Sequence, residues 1–130
     1  MTDNAAPLLF HARRLLLYVE DLDRAVAFYR DALGFEPVGG VAGINFEFAT
    51  SGAPLVLHRD GRAAAVPRGR VGFVPSFQVG DGIHNLVEIF KARGVRVVHE
   101  VFEVPHGWVA FISDLEGNLL QIYQPKGESK

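Results

Sequence analysis

Residues 15–35 read LLLYVEDLDRAVAFYRDALGF, and the order of residue types in this segment predicts a strand followed by a helix. Its first five residues are apolar or aromatic with alternating sides, which predicts a strand over 15–19. Asp21 follows, a residue type that caps helices by accepting hydrogen bonds from free backbone N–H groups. Apolar residues then recur at three- and four-residue steps, as on one face of a helix: Leu22, Val26, Tyr29 and Leu33. Gly34 supplies the left-handed residue at which such a helix ends.

The same pattern is written a second time, 60 residues further on. That shift places Val19-Glu20-Asp21 on Val79-Gly80-Asp81 and Ala32-Leu33-Gly34 on Ala92-Arg93-Gly94. Only four of the 21 shifted positions are identical, but the order of strand, Asp, helix and Gly is repeated throughout. A second strand is predicted over 73–79. A helix follows from Asp81 or Gly82 with Leu86, Ile89 and Phe90 on its apolar face. A repeat at a fixed spacing carries more weight than local propensity.

Three strand candidates follow each helix. They are 35–38, 43–50 and 54–58 after the first helix, and 95–103, 107–113 and 118–124 after the second. Residues 114–118, DLEGN, form a turn signal before the last strand. The prediction is an α+β fold of two tandem βαβββ modules within a single domain. Module 1 covers about 12–58, a Gly- and Arg-rich linker loop covers 59–70, and module 2 covers 71–125.

Composition limits the classes of partner. The chain has 130 residues, 13 basic and 15 acidic side chains and a net charge of −2, so it lacks the basic excess that phosphate backbones require. We therefore expect no nucleic-acid partner. There is no cysteine, which excludes disulfides, thiolate nucleophiles and iron–sulfur clusters. The first residues show no secretory pattern, and no apolar run approaches the roughly 20 residues of a membrane helix, so we expect a cytoplasmic protein without a membrane partner.

The motifs resemble the vicinal oxygen chelate superfamily, which includes glyoxalase I, bleomycin-resistance proteins and extradiol dioxygenases. The resemblance lies in DLDRA at 21–25, FYRD at 28–31, LGF at 33–35, ARGV at 92–95 and DLEGN at 114–118, and it spans about residues 12–125. It implies that the two modules curl their strands into a U-shaped cleft. It also implies a homodimer, since members often dimerise.

In metal-dependent members of that superfamily, four strand positions point into the cleft and hold a divalent ion. The resemblance places these positions on Arg14, Val56, Val74 and Gln121. Two valines cannot ligate, a guanidinium repels a cation, and one amide oxygen alone is inadequate. We therefore expect no cofactor and no metal at this site. A displaced divalent metal site stays open as an alternative because other polar side chains are available: His11, Glu47, His58, His99 and His106.

Strand alternation predicts which side chains line the cleft. The predicted lining is Arg14, Leu16, Tyr18, Val56, His58, Val74, Ser76, Gln78, Leu119, Gln121 and Tyr123. Trp108 is either a platform for a flat ligand at the rim, a core residue or part of a dimer interface. Phe46 and Phe48 share one parity and belong either to this lining or to the core. An apolar wall with a few polar tips is typical of small-molecule pockets. A guanidinium in such a cleft needs a partner, so Arg14 pairs either with an acid such as Glu47 or Glu103, or with a ligand.

Two functions follow from this reading. The first is a protein that binds a small aromatic or amphipathic compound in its cleft without a catalytic metal, as bleomycin-resistance proteins do. The alternative is a glyoxalase-like lyase, isomerase or dioxygenase that uses a displaced metal or His58 as a general base, because imidazole titrates near neutrality. No residue of the sequence is placed to orient that histidine. We expect loops 39–43 and 58–72 to select the ligand.

Overall fold

The computed structural model describes residues 12–59 and 74–127, which form two four-stranded sheets. Module 1 consists of β1 (Leu15–Val19), α1 (Leu22–Ala27), β2 (Glu36–Val41), β3 (Asn45–Ala49) and β4 (Leu55–Arg59). Module 2 consists of β5 (Ser76–Gln78), α2 (Ile83–Ala92), β6 (Arg96–Val104), β7 (Gly107–Ser113) and β8 (Leu119–Pro125). The predicted pair of βαβββ modules is confirmed. Most of the predicted linker, 60–70, lies outside the described residues.

The two sheets have equivalent topologies. Their strand orders are β1-β4-β3-β2 and β5-β8-β7-β6. In each, the first strand of the module pairs in parallel with the last, and the remaining pairs are antiparallel. Helix α1 packs against β3 and β4, and α2 packs against β6 and β8. Each sheet therefore has one face covered by a helix and one face turned away from it.

The first helix begins as predicted but changes character before its end. The Asp21 side chain accepts a hydrogen bond from the Arg24 N–H at 3.1 Å, so Asp21 is the N-cap. From Phe28 to Ala32 the chain is a π-helix, in which the Leu33 N–H donates to the Phe28 carbonyl, five residues back, at 3.1 Å. The expected α-helix of about a dozen residues is thus an α-helix of six followed by a π turn. Gly34 then has φ 81°, which is the left-handed geometry predicted for it.

The second helix begins after Gly82, whose φ of 78° leaves no capping side chain of its own. Gln124 on β8 takes that role, because its Oε1 accepts a hydrogen bond from the Ile83 N–H at 2.8 Å. The buried face consists of Ile83, Val87 and Phe90. Ile89, which was predicted on the apolar face, is instead exposed. The buried residues follow one another at steps of four and three, and Ile89 lies beside that row.

A single hydrophobic core connects the two modules. Its largest fully buried side chains include Tyr29, Phe48, Leu55 and Leu57 from module 1, and Ile83, Ile112 and Leu120 from module 2. Phe46 lies opposite Leu57 in the β3–β4 register and Phe48 lies opposite Leu55, so both phenylalanines face the core rather than the cleft. The helix-covered faces of both sheets are therefore used in packing, and the opposite faces point away from this core.

The turn between β7 and β8 joins the modules through polar contacts. Buried Asp114 accepts hydrogen bonds from the Tyr29 hydroxyl at 2.7 Å and from the backbone N–H groups of Glu116 and Asn118 at 2.9 and 2.8 Å. The Glu116 carboxylate in turn accepts from the N–H groups of Glu20 and Asp21. Burial, and then the charge of Asp114, raise the pKa of Tyr29 well above its usual value. The DLEGN turn of module 2 therefore anchors the β1–α1 corner of module 1.

Candidate functional site

The open face of the first sheet carries the cleft residues predicted from module 1. In the parallel β1–β4 register, Leu16 lies opposite Val56 and Tyr18 lies opposite His58. Because paired residues share a face, these four side chains lie together. Leu16 is 41% exposed and Tyr18 is 40% exposed, whereas Val56 is buried. We call these four residues, together with Asn45 and Glu47 of β3, the first cleft face.

Asn45 and Glu47 join this face because β3 pairs with β4. Asn45 lies opposite His58 and Glu47 lies opposite Val56. The sequence analysis named Glu47 as a possible partner for Arg14 and as a possible ligand of a displaced metal, and it assigned no role to Asn45. The signal that finds both residues is the register of the β3–β4 pair, which depends on the length of the turn between the strands and not on the pattern within either strand.

Arg14 is paired internally. Its Nη2 lies 3.8 Å from Glu47 Oε1, and the two side chains are 35% and 32% exposed. Of the two predicted partners, the structure thus shows an acid of the same sheet. A distance of 3.8 Å is an electrostatic contact and is too long for a hydrogen bond. A half-exposed ion pair of this kind contributes little to stability and can be rearranged by a bound charge.

The geometry of His58 determines which of its nitrogens faces a ligand. Its Nδ1 lies 2.9 Å from the Arg59 carbonyl oxygen. A carbonyl oxygen only accepts, so Nδ1 donates in this contact, and in the neutral tautomer with this arrangement Nε2 is the acceptor. The ring of Tyr18 packs against the imidazole edge-on, with centroids 5.7 Å apart. His58 is therefore an aromatic and hydrogen-bonding member of the first cleft face.

The open face of the second sheet carries the residues predicted from module 2. Ser76 lies opposite Gln121 and Gln78 lies opposite Tyr123 in the β5–β8 register. The Ser76 hydroxyl donates to Gln121 Oε1 at 2.6 Å. The Tyr123 hydroxyl donates to the His106 carbonyl at 3.0 Å. Leu119 lies on the same side of β8 as Gln121 and Tyr123, since it is two residues away from Gln121.

Three rings that sequence reasoning did not place on this face form an aromatic cluster. Phe111 on β7 pairs with Gln121, and on its other side it pairs with His99 of β6. The rings of His99 and Phe102 are 4.5 Å apart, and those of Phe102 and Phe111 are stacked at 6.4 Å. These rings, with Val109, Ser76, Gln78, Leu119, Gln121 and Tyr123, form what we call the second cleft face.

Breaks in the strand register explain why this cluster was missed. His99 and Phe102 differ in parity, so simple alternation puts them on opposite faces. The β6–β7 pairing shifts between Val97 and His99 and again between His99 and Phe102, which brings both rings to one side. Such β-bulges insert a residue that reverses the alternation beyond it. Nothing in the sequence of β6 marks their positions.

Trp108 does not join the cleft faces. It pairs with Gln124 and Glu103 and lies next to Val109 in β7, so it points to the helix-covered side of the sheet. It packs against the hydrophobic core, and the Lys126 ammonium lies 5.7 Å from the centre of its ring. Of the three roles open for Trp108, the structure therefore shows the contact with the core. Val74, in contrast, precedes β5 with the parity of Ser76 and Gln78 and is half-buried.

The four positions that the family uses for a metal do not fit one here. Arg14 is held by Glu47, Val56 has no donor atom, and the Gln121 oxygen already accepts the Ser76 hydrogen. Val74, at the remaining position, has no donor atom either. Across residues 12–59 and 74–127, no three His, Asp or Glu side chains lie close enough together to hold a metal ion. This donor set is unsuited to a divalent cation, which needs several imidazole, carboxylate or thiolate ligands. His11 lies outside the described residues.

Two tandem βαβββ modules, each with a helix on one face of its sheet and an open opposite face, define a glyoxalase-like α+β protein. The sequence matches the Glyoxalase/Bleomycin resistance protein/Dioxygenase superfamily over residues 11–122. The chain belongs to this superfamily. No curated protein matches the sequence. Among the helices of the described residues, none has the length and apolar character needed to cross a membrane.

Solved structures of the same superfamily superpose over nearly the whole chain. Lactoylglutathione lyase from Agrobacterium tumefaciens is 27% identical, with a TM-score of 0.70 and coverage of 87% of this chain and 92% of that one. A glyoxalase-related enzyme from Fulvimarina pelagi is 18% identical, with a TM-score of 0.73 and coverage of 89% and 88%. A glyoxalase/bleomycin resistance protein/dioxygenase family enzyme from Burkholderia phytofirmans is 17% identical, with a TM-score of 0.73 and coverage of 86% and 96%. The last two show similarity of fold alone.

Proposed function

We propose that the protein binds a small aromatic or amphipathic compound against its two cleft faces, without a catalytic metal. The observation that carries this proposal is the exposure of apolar and aromatic side chains on the open side of the first sheet. Leu16 and Tyr18 are each about two-fifths exposed there, although both are large apolar or aromatic side chains. Exposed apolar patches of this kind on a small protein mark binding surfaces.

The two faces offer complementary contacts to a flat ligand. The first presents the Tyr18–His58 pair, and the second presents the rings of Phe102 and Phe111. Aromatic pairs contribute about 0.5–1.5 kcal/mol beyond the burial of their area. Gln78 and His58 Nε2 supply polar groups that can orient the ligand. This combination of apolar walls and few polar tips suits a compound that is mostly ring, with one or two polar substituents.

The proposal includes the absence of a bound metal, which can be tested by measuring the metal content of the protein. Elemental mass spectrometry of tag-free protein should find less than stoichiometric zinc, nickel, manganese or iron. Melting curves with each ion should not shift, because a ligand that binds only the native state must stabilise it. Stoichiometric metal together with a clear rise in Tm would contradict the proposal.

Ligand binding is tested with 8-anilinonaphthalene-1-sulfonate, an amphipathic aromatic probe whose fluorescence rises in apolar surroundings. Its binding to the native protein should weaken about two- to tenfold in Tyr18→Ala and in Phe111→Ala, since each change removes an aromatic contact worth about 0.5–1.5 kcal/mol. Leu115→Ala is the matched control, because Leu115 is 46% exposed but lies in the β7–β8 turn. Equal binding by all three variants would place the probe elsewhere and overturn the proposal. Trp108 fluorescence is a poor reporter because its ring is on the other face of the sheet.

A second candidate is a lyase in which His58 acts as a general base. It is favoured by the imidazole of His58 on the first cleft face, whose Nδ1 is engaged by the Arg59 carbonyl, and by the similarity to the lactoylglutathione lyase of Agrobacterium tumefaciens. Turnover of lactoylglutathione by the purified protein that falls at least a hundredfold in His58→Gln would establish it. No turnover with or without added divalent ions would leave the binding function alone.

We propose further that the protein is a cytoplasmic homodimer. Members of the superfamily are commonly dimeric, and Val38 and Val98, which are 61% and 45% exposed and belong to neither cleft face, offer apolar surface that a second copy can cover. Light scattering on a sizing column should give twice the mass of the 14.3 kDa chain. A monomer at micromolar concentration would contradict this expectation.

A further inference from the structure

A cavity of about 120 Å³ lies at the junction of the two modules, on the helix-covered side of the sheets. Leu33 and Phe35 close it from module 1, where the chain leaves the π turn and enters β2. Residues of β5, α2, β7 and β8 close it from module 2. It lies on the opposite side of both sheets from the cleft faces. Its lining includes Phe77 and Ile122, which pair with each other on the core side of β5 and β8.

The walls of the cavity are entirely apolar among the described residues. Every lining side chain is Leu, Val, Ile or Phe. A buried water needs two to four polar partners, and none is available here, so water has no favourable position inside. An apolar cavity of about 150 Å³ in another protein stays dry and binds benzene or xenon, so this one is close to that size. The chemistry of the lining selects an uncharged hydrocarbon group.

The cavity has a closed floor and a partly open rim. Phe90, Ile112 and Leu120 form the floor and are almost completely buried. Leu33, Phe35, Phe77, Val79 and Leu86 form the rim and are half-buried. The rings of Phe35 and Phe77 meet edge-on there, with centroids 5.0 Å apart, one from each module. A small molecule can therefore enter between rim side chains without opening the core.

We propose that this cavity, which we call the junction cavity, is a second binding site that takes an uncharged apolar molecule of about the size of benzene. It is separate from the cleft and does not depend on the proposed cleft function. A molecule bound there contacts both modules at once. It should therefore strengthen their association and stabilise the whole chain.

The test uses benzene as the probe and thermal unfolding as the first measurement. Benzene at about ten times its Kd should raise the Tm of the native protein by about 4–7 °C. Val79→Phe adds a ring inside the cavity and should abolish this rise. Val98→Phe makes the same change at an exposed position of β6 and should keep it. Tyr18→Ala should also keep it, because that side chain belongs to the first cleft face.

Methyl NMR of the unmodified protein under xenon keeps the proposal testable even if Val79→Phe unfolds. The methyl resonances of Leu33, Leu86 and Leu120 should shift with xenon pressure, and those of Leu16 and Val56 should not. Shifts confined to the cleft methyls would overturn the proposal. A benzene effect that survives Val79→Phe, or that is lost in Tyr18→Ala, would overturn it equally.

Discussion

At the scale of single residues, the pairing of Arg14 with Glu47 sets the charge of the first cleft face. The two side chains neutralise each other across 3.8 Å while remaining about one-third exposed. Neither group is committed to a hydrogen bond in that pair, so the face can accept a ligand of either charge by breaking it. An anionic ligand would pair with Arg14 and a cationic ligand with Glu47, so removing one of these two side chains determines which ligand charge is preferred.

Glu47→Gln should therefore increase the affinity for the anionic probe 8-anilinonaphthalene-1-sulfonate. Removing one negative charge beside Arg14 at a half-exposed site is worth about 0.5–1 kcal/mol, which corresponds to roughly two- to fivefold in Kd. The gain should shrink as salt is added from 20 to 500 mM, because salt screens exposed charges. Fluorescence titration measures both effects. Glu88→Gln on α2 is the control, and an equal gain there would mean that net charge alone is responsible.

At the scale of secondary structure elements, contacts from outside each element decide where it begins and how it pairs. The α2 helix has no cap of its own and takes its N-terminal acceptor from Gln124 on β8. The β2–β3 hairpin depends on the absence of a side chain at Gly40. Gln124 lies 41 residues from the N–H that it caps, whereas Gly40 lies within β2 and is required there by the backbone of the partner strand.

Gln124→Ala should lower the free energy of unfolding by about 1–2 kcal/mol, because it leaves the Ile83 N–H without an acceptor at a nearly buried helix start. Gln124→Glu keeps an oxygen in the same place and puts a negative charge at the helix N-terminus, so it should restore most of the loss. Urea unfolding followed by circular dichroism gives both values. If the Glu variant were as unstable as the Ala variant, the hydrogen bond would not be the cause.

Gly40→Ala should lower the free energy of unfolding more than Gln124→Ala or Gln124→Glu. A Cβ at Gly40 would lie 2.2 Å from the Asn45 carbonyl oxygen and 2.7 Å from Phe46 Cα, both of which are backbone atoms of the partner strand. We expect a loss of about 2–3 kcal/mol, since the hairpin must shift to relieve the overlap. Gly52→Ala, where no atom lies within 4 Å, should change stability by less than about 0.5 kcal/mol. Similar losses at both glycines in urea unfolding would refute this explanation.

At the scale of the whole molecule, periodicity predicted the architecture well and the faces of the strands only in part. The two βαβββ modules and the cap at Asp21 follow from local patterns. The face of the sheet on which each side chain of β1, β4, β5 and β8 lies follows from strict alternation along the strand. Strand β7 does not, because both of its faces are apolar: Ala110 and Ile112 face the core while Phe111 faces the cleft. Hydrophobicity alone cannot then tell where Trp108 points.

The other contacts of the site and of the module junction join residues that are far apart in the sequence or depend on breaks in strand register, and no local sequence pattern predicts them. The β6 bulges move His99 and Phe102 to one face, and the hydrogen bond from Tyr29 to Asp114 spans 85 positions. Both follow from how the modules pack, and packing involves the whole core. The same hydrogen bond gives the fold a pH dependence, because it ties a buried phenol to a carboxylate of the other module.

The stability of the whole chain should fall steeply at alkaline pH. Burial, and then Asp114, raise the pKa of Tyr29 well above its ordinary value of about 10, so the folded protein keeps a proton that the unfolded chain loses. The contribution of Tyr29 is thus complete below about pH 10 and is lost as the pH rises toward and through the higher folded pKa. Tyr29→Phe should be less stable at pH 7 by about 1–3 kcal/mol, since the hydrogen bond to a carboxylate is gone. The same variant should lose less stability than the native protein between pH 9 and 11.5, and Tm measured across that range checks both expectations. Parallel Tm curves for the two proteins would show that Tyr29 does not govern the alkaline limb.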